Sequence, residues 1–157
     1  MLISFQKQLK EEHFLKNIDL DFLLNIEEYE LELDSMSLKG NDHYAIDMYF
    51  YGSENATNLL INDPSRDYFL MRFEKYAVFM GTLEEHGIIE EGLKNPYPVV
   101  KLKESVFGKF AEKHMKTKEI YTERGELNLF VIRTFEQEFY ILSYSDPIVI
   151  NNIAKSE

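Results

Sequence analysis

Apolar and polar side chains alternate most regularly over residues 28–34. Tyr29, Leu31 and Leu33 occupy every second position, and acidic residues fill the positions between them. Successive side chains of a β-strand point to opposite faces of the sheet. The pattern therefore predicts a strand with one apolar face and one acidic face.

A second alternating segment covers residues 44–51, after the turn-forming sequence Lys-Gly-Asn-Asp at 39–42. Two alternating segments joined by a turn predict an antiparallel hairpin. Residues 18–26 also alternate and predict a strand, although a leucine-rich run of this length also fits a helix. Before it, the spacing over residues 4–16 predicts a short N-terminal helix.

Between residues 64 and 86 the apolar positions follow a helical spacing. Asp63 and Pro64 supply an N-cap and a first helical residue. The positions that recur at intervals of three and four are Phe69, Phe73, Tyr76, Met80 and Leu83. Further apolar residues widen this stripe, which predicts a long, buried helix over residues 64–86.

The last third of the chain predicts mainly strands. After a break at the Asn-Pro-Tyr-Pro sequence of residues 95–98, a short helix is expected over 104–114. Strands are expected over 119–122, 127–134 and 139–144. Asp146 and Pro147 predict the start of a short C-terminal helix that continues to Ala154. Strands grouped together predict an α+β fold in which an antiparallel, meander-type β-sheet of about five strands packs against the long helix.

The length and composition are those of one domain, residues 1–157, with 45% hydrophobic residues. The chain has 28 acidic and 17 basic residues and a formal net charge of −11. This charge repels nucleic acids and anionic membranes and attracts a basic protein partner. The alternative is that the charge only keeps the protein soluble.

Motifs for known chemistry are missing from the sequence. There is no cysteine, the seven glycines do not have phosphate-binding spacing, and the four histidines are far apart in the chain. We therefore predict no catalytic residues, no metal site, no cofactor and no enzymatic activity. Without a signal-like segment or a long apolar run, cytoplasmic localisation is expected.

The basic residues are concentrated in one window. Residues 101–118 contain six lysines and two glutamates, a charge of +4, whereas the other 11 basic and 26 acidic residues give −15. The window is either a site for an anion or an acidic partner, or a solvated surface whose lysines pair with acids elsewhere.

The acidic face of the hairpin is the strongest candidate site. The sequence does not fix the register of the two strands, so either face of the second strand could be the outer one. If acids and tyrosines share one surface, we expect the partner-binding residues to be Glu28, Glu30, Glu32, Asp34, Asp47, Tyr49 and Tyr51. Carboxylates guide a basic protein into register, and tyrosines supply contact area. The alternative is an ordinary solvated face whose charges discourage aggregation.

Three functional hypotheses follow. In size, acidity and tyrosine content the chain resembles bacterial immunity or antitoxin proteins, which are inhibitors that bind a basic toxin such as a nuclease. A second hypothesis is a small-molecule-binding domain or enzyme with an aromatic-lined pocket. The third is a phage or mobile-element protein that mimics DNA and blocks a nucleic-acid-binding enzyme. The sequence leaves the oligomeric state open.

Overall fold

The computed structural model describes residues 17–40, 44–116 and 125–153. These ranges contain eight strands and three short α-helices. The strands are β1 Glu30–Lys39, β2 Ala45–Ser53, β3 Asp67–Phe73, β4 Tyr76–Leu83, β5 Val99–Leu102, β6 Asn128–Arg133, β7 Gln137–Ser143 and β8 Ile148–Asn151. The α-helices are α1 Leu20–Asn25, α2 Ala56–Leu60 and α3 Val106–His114, and single 3₁₀ turns lie at Glu84–His86 and Glu91–Leu93.

The strands form two antiparallel sheets of four strands. The first sheet has the order β1-β2-β3-β8, and the second has the order β4-β7-β6-β5. The chain passes from the first sheet to the second between β3 and β4 and returns between β7 and β8. The Lys75 carbonyl accepts a hydrogen bond from the Tyr144 amide at 3.0 Å, which joins the two connections.

One apolar core lies between the two sheets. The first sheet contributes Ile46, Met48, Phe50, Phe69, Met71 and Phe73, and the second contributes Val99, Phe130, Ile132, Phe139 and Ile141. The ring centroids of Phe73 and Phe130 lie 5.7 Å apart in an edge arrangement across this interface. Removal of this apolar area from water is the main force that holds the sheets together.

A second, smaller core lies on the other side of the second sheet. Phe107 and Ala111 of α3 are buried there against Val131, Tyr140 and neighbouring apolar residues. Ser105 caps α3 by accepting a hydrogen bond from the Gly108 amide at 2.8 Å. The layers are therefore first sheet, second sheet and helix.

The prediction of a long helix over residues 64–86 is wrong, because this segment forms β3 and β4. Eleven of the 16 residues from 68 to 83 are apolar or aromatic, so a helical stripe can be drawn through residues that in fact lie in strands. The polar pair Glu74-Lys75, between two apolar runs, forms the turn that separates them. β-Branched and aromatic side chains such as Val78 and Phe79 also favour strands.

The predicted C-terminal helix is wrong as well. Residues 148–151 form β8, which pairs with β3. Three β-branched residues follow Pro147, and such side chains lose rotamer freedom in a helix. A proline is also tolerated just before an edge strand. The eight strands exceed the five expected, since β3, β4, β5 and β8 were not predicted.

Other expectations for single elements have mixed outcomes. The strands and the helix predicted over 28–34, 44–51, 104–114, 127–134 and 139–144 are confirmed as β1, β2, α3, β6 and β7. The strand expected over 18–26 is wrong, because Asp19 caps the helix α1 through a 2.8 Å hydrogen bond from the Phe22 amide. The predicted helix 4–16 and strand 119–122 lie outside the described residues. The described ranges contain no helix long and apolar enough to cross a membrane.

Candidate functional site

The outer face of the first sheet brings together six of the seven predicted site residues. In the β1–β2 register, Glu32 lies opposite Tyr51, and Ser35 lies opposite Tyr49. The register shifts between these two pairs, so residue 34 forms an irregularity in β1. The residues on or bordering this face are Glu30, Glu32, Asp34, Asp47, Tyr49 and Tyr51. Glu28 differs, because it precedes β1 and has a positive φ of 54°.

Three tyrosines from two strands form a connected group on this face, which we call the tyrosine ladder (Tyr49, Tyr51 and Tyr68). The ring of Tyr68 stacks on Tyr49 with centroids 6.2 Å apart and lies 4.8 Å from Tyr51. The Arg66 guanidinium lies over Tyr51, 3.9 Å from the ring centroid. These contacts fix the ring orientations in the free protein.

Tyr68 also connects the ladder to the acidic strand. Its hydroxyl donates a hydrogen bond of 2.8 Å to the Asp34 carboxylate. Burial of the phenol and this hydrogen bond raise the pKa of Tyr68 well above its ordinary value. Sequence reasoning missed Tyr68, because its segment was predicted to be helical.

Asp47 has a different role from the one expected. Its side chain is 0% exposed and is bound by Arg72, with Nε–Oδ1 at 2.7 Å and Nη2–Oδ2 at 3.1 Å. Lys39 lies 3.3 Å from Oδ2 on the other side. The hydrogen bonds from Arg72 hold the pKa of Asp47 below its usual range, against the opposing effect of burial. Asp47 therefore links three strands and presents no free charge to a partner.

The exposed acids lie at the other end of the face. Glu30 and Asp34 are exposed, and residues 17–38 contain seven acidic residues and no basic one. The face is therefore divided into an acidic half beside the first part of β1 and a half where charges are paired at Asp47. The tyrosine ladder lies between them.

A cleft of about 640 Å³ opens next to the acidic half. It lies between the first part of β1, the helix α2 with the residues after it, and the connection from β6 to β7. Its lining residues are Glu32, Leu33, Leu59, Leu60, Asn62, Thr134, Phe135, Glu136 and Gln137. No feature of the sequence predicted this cleft, because its walls come from three distant segments.

The basic window is partly used for structure. Lys101 pairs with Asp146 at 2.8 Å, and Lys103 pairs with Glu126 at 3.3 Å. Lys109 and Lys113 are exposed on α3. Lys118 lies outside the described residues.

The described part of the chain holds no group of three or more histidines and carboxylates able to bind a metal ion. Comparison with known proteins gives no match: no protein family, no curated protein and no solved structure matches this chain. Functional inference therefore rests on the geometry of the face and the cleft.

Proposed function

We propose that this chain is a protein-binding inhibitor of the immunity or antitoxin type, which neutralises a basic toxin such as a nuclease through the outer face of its first sheet. The observation that supports this most is the tyrosine ladder, bordered by the exposed carboxylates of Glu30 and Asp34. Aromatic residues next to acids are well suited to bind a basic protein surface.

The two parts of the face have separate roles in the proposed mechanism. The exposed carboxylates raise the rate of encounter with a basic partner and set its orientation. The ladder supplies apolar contact area, and its rings lose little side-chain entropy on binding because they already contact one another. Inhibition results when the bound chain covers the basic active site that otherwise receives phosphates.

A DNA-mimic inhibitor would use the same acidic half against a different enzyme, so the identity of the target distinguishes this hypothesis from the toxin inhibitor.

The small-molecule hypothesis draws on another observation, the 640 Å³ cleft, whose volume is in the usual range for ligand sites. We place it second, because the lining combines two glutamates with apolar side chains that fit part of a protein partner equally well.

The test is protection of cells that co-express the chain with a toxin encoded beside its gene. The double variant Glu30→Lys with Asp34→Lys reverses charge in the acidic half. The matched control, Glu85→Lys with Glu91→Lys, makes the same change in net charge at two exposed acids in the 3₁₀ turns. We expect the first variant to lose protection and to bind the purified toxin at least tenfold more weakly, mainly through slower association.

Equal loss of protection in both variants would show that toxin binding depends only on the net charge of the chain. Unchanged protection by the first variant would contradict the proposal that the acidic half contacts the toxin. Circular dichroism of both variants checks that the fold is retained.

A further inference from the structure

The cleft beside β1 combines apolar walls with two carboxylates. Leu60 forms part of the wall and is 74% exposed. Leu33, half-buried, lies on another wall. A partly apolar ligand would remove this surface from water.

Glu32 in the same cleft has an unsatisfied atom. Its Oε2 atom is buried and makes no hydrogen bond to any residue that the structure describes, although the Glu32 side chain as a whole is 44% exposed. A buried acceptor without a donor is unfavourable, and a ligand with a suitable donor would satisfy it. Glu136 supplies a second carboxylate to the lining.

The nearest cation does not satisfy Glu32. The Nη1 atom of Arg66 lies 3.9 Å from Oε2, too far for a hydrogen bond. Arg66 is held in place by Asn62, whose Oδ1 accepts from Nη1 at 3.2 Å, and by the carbonyl of Asp63, which accepts from Nε at 2.9 Å. Two carboxylates therefore line the cleft, and the fixed guanidinium of Arg66, which is not among the lining residues, leaves it with negative charge.

We infer that this cleft binds an arginine side chain of the protein partner. This inference rests on the proposed function. The guanidinium would donate to Glu32, and the methylene groups would lie against Leu33 and Leu60. Arginine fits better than lysine, because its planar donors match a carboxylate and its head group is less strongly hydrated. The volume exceeds one side chain and leaves room for the peptide that carries it.

The first test uses the whole chain and N-acetyl-arginine amide as the probe, followed by NMR. We expect saturable shifts of the Leu33 and Leu60 methyl signals and of the Thr134 amide. N-acetyl-citrulline amide, which is neutral and nearly the same shape, should shift them at least fivefold less strongly at equal concentration.

Two variants locate the site. Glu32→Gln should weaken arginine-amide binding at least fivefold, and Leu60→Lys, at an exposed position, should abolish it by placing a cation in the cleft. Glu91→Gln is the matched control, since it removes a charge at an exposed position outside the lining and should change binding less than twofold. Absent shifts, or equal affinity in Glu32→Gln and Glu91→Gln, would overturn the inference.

The same variants separate this inference from the proposed function. If Leu60→Lys binds the toxin as tightly as the wild type while the Glu30 and Asp34 double variant does not, the arginine site is contradicted and the inhibitor proposal is supported. If the amide binds as expected but no toxin is neutralised, the arginine site is supported and the proposed function is contradicted.

Discussion

The outer faces of the two sheets differ in what lies on them, although both sheets have four antiparallel strands. On the second sheet Val131, Tyr140 and their neighbours are apolar, and α3 buries them. On the first sheet the corresponding face carries the tyrosine ladder and the paired charges of Asp47 and Arg72, together with Leu70 and Ile150 beside Tyr49. A helix covers one face, whereas polar and aromatic contacts within the sheet connect side chains on the other.

In our proposal, the face of the second sheet contributes to stability and the face of the first sheet contributes to recognition of a partner. An apolar sheet face must be covered, so the second sheet has its helix as a partner within the chain. A face on which the buried Asp47 charge and the Tyr68 hydroxyl have partners can stay in contact with water and still offer ring surface to another protein. The following predictions test that division, from the largest expected effect to the smallest.

Phe107→Ala should have the largest effect, a loss of about 3–5 kcal/mol in the free energy of unfolding, since it leaves a cavity beneath α3. Phe107 is 7% exposed and contacts Tyr140 with ring centroids 6.3 Å apart. Urea unfolding measures the loss. Phe110→Ala, on the same helix at a 52% exposed position, is the control and should cost under about 1 kcal/mol. Equal losses would show that α3 does not cover the second sheet in this way.

Asp47→Asn should lower the free energy of unfolding by about 2–3 kcal/mol at neutral pH. Removal of one member of a buried ion pair costs about 3–5 kcal/mol, and partial exposure of the Arg72 side chain, 30%, reduces this value. Glu30→Gln, at an exposed acid of the same face, should change stability by less than about 0.5 kcal/mol.

The effect of Asp47→Asn should also depend on pH. Because the folded-state pKa of Asp47 is lowered, its stabilisation is present above the unfolded pKa of about 3.9 and is lost as pH falls through the folded value. Unfolding measured between neutral pH and strong acid should show wild type and variant converging at the acid end. A difference that stays constant with pH would contradict the ion-pair role.

Glu90→Gln should cost about 1–2 kcal/mol. The Glu90 side chain accepts hydrogen bonds from the Val106 and Phe107 amides at 2.8 and 2.9 Å, so its charge stabilises the first turn of α3. Glu91→Gln, at the adjacent exposed residue, is the control and should change the free energy of unfolding by less than about 0.5 kcal/mol. Thermal unfolding of both variants would show whether the hydrogen bonds that Glu90 accepts from the first turn of α3 stabilise the folded protein.

Tyr68→Phe should have the smallest effect, about 0.5–1.5 kcal/mol, because it removes the hydrogen bond to Asp34 and leaves the ring. The raised pKa of Tyr68 means that its contribution is present below the unfolded pKa of about 10 and is lost as pH rises through the folded value. The two proteins should therefore converge in stability at alkaline pH. Tyr44→Phe, at a 69% exposed tyrosine, should not change stability measurably.

Local periodicity was enough to predict part of the fold. The alternation over residues 28–34 and 44–51 correctly indicated β1, β2 and their antiparallel pairing, and the apolar spacing before His114 indicated α3. These signals are local, because the face on which a side chain lies depends only on its position along one strand or helix.

The segment from 64 to 86 shows where this reasoning fails. Its apolar residues are so frequent that both a helical and a strand period fit them, and local propensity could not decide between the two. The decision came from pairing: β3 lies between β2 and β8, and β4 pairs with β7, more than 50 residues later in the chain. The pair Glu74-Lys75 was the only local sign of the break.

The sequence by itself determined that Glu30 and Glu32 would share one face of β1 and that Tyr49 and Tyr51 would share one face of β2, since a period of two sorts side chains locally. Only the tertiary structure decided what each of them contacts. The cross-strand register placed Arg72 opposite Asp47 and removed that acid from the surface, and it placed Tyr68 beside Tyr51. The cleft also depends on the fold, because its walls meet only when distant segments pack. Periodicity selects a face, whereas long-range pairing selects the neighbours that give the face its chemistry.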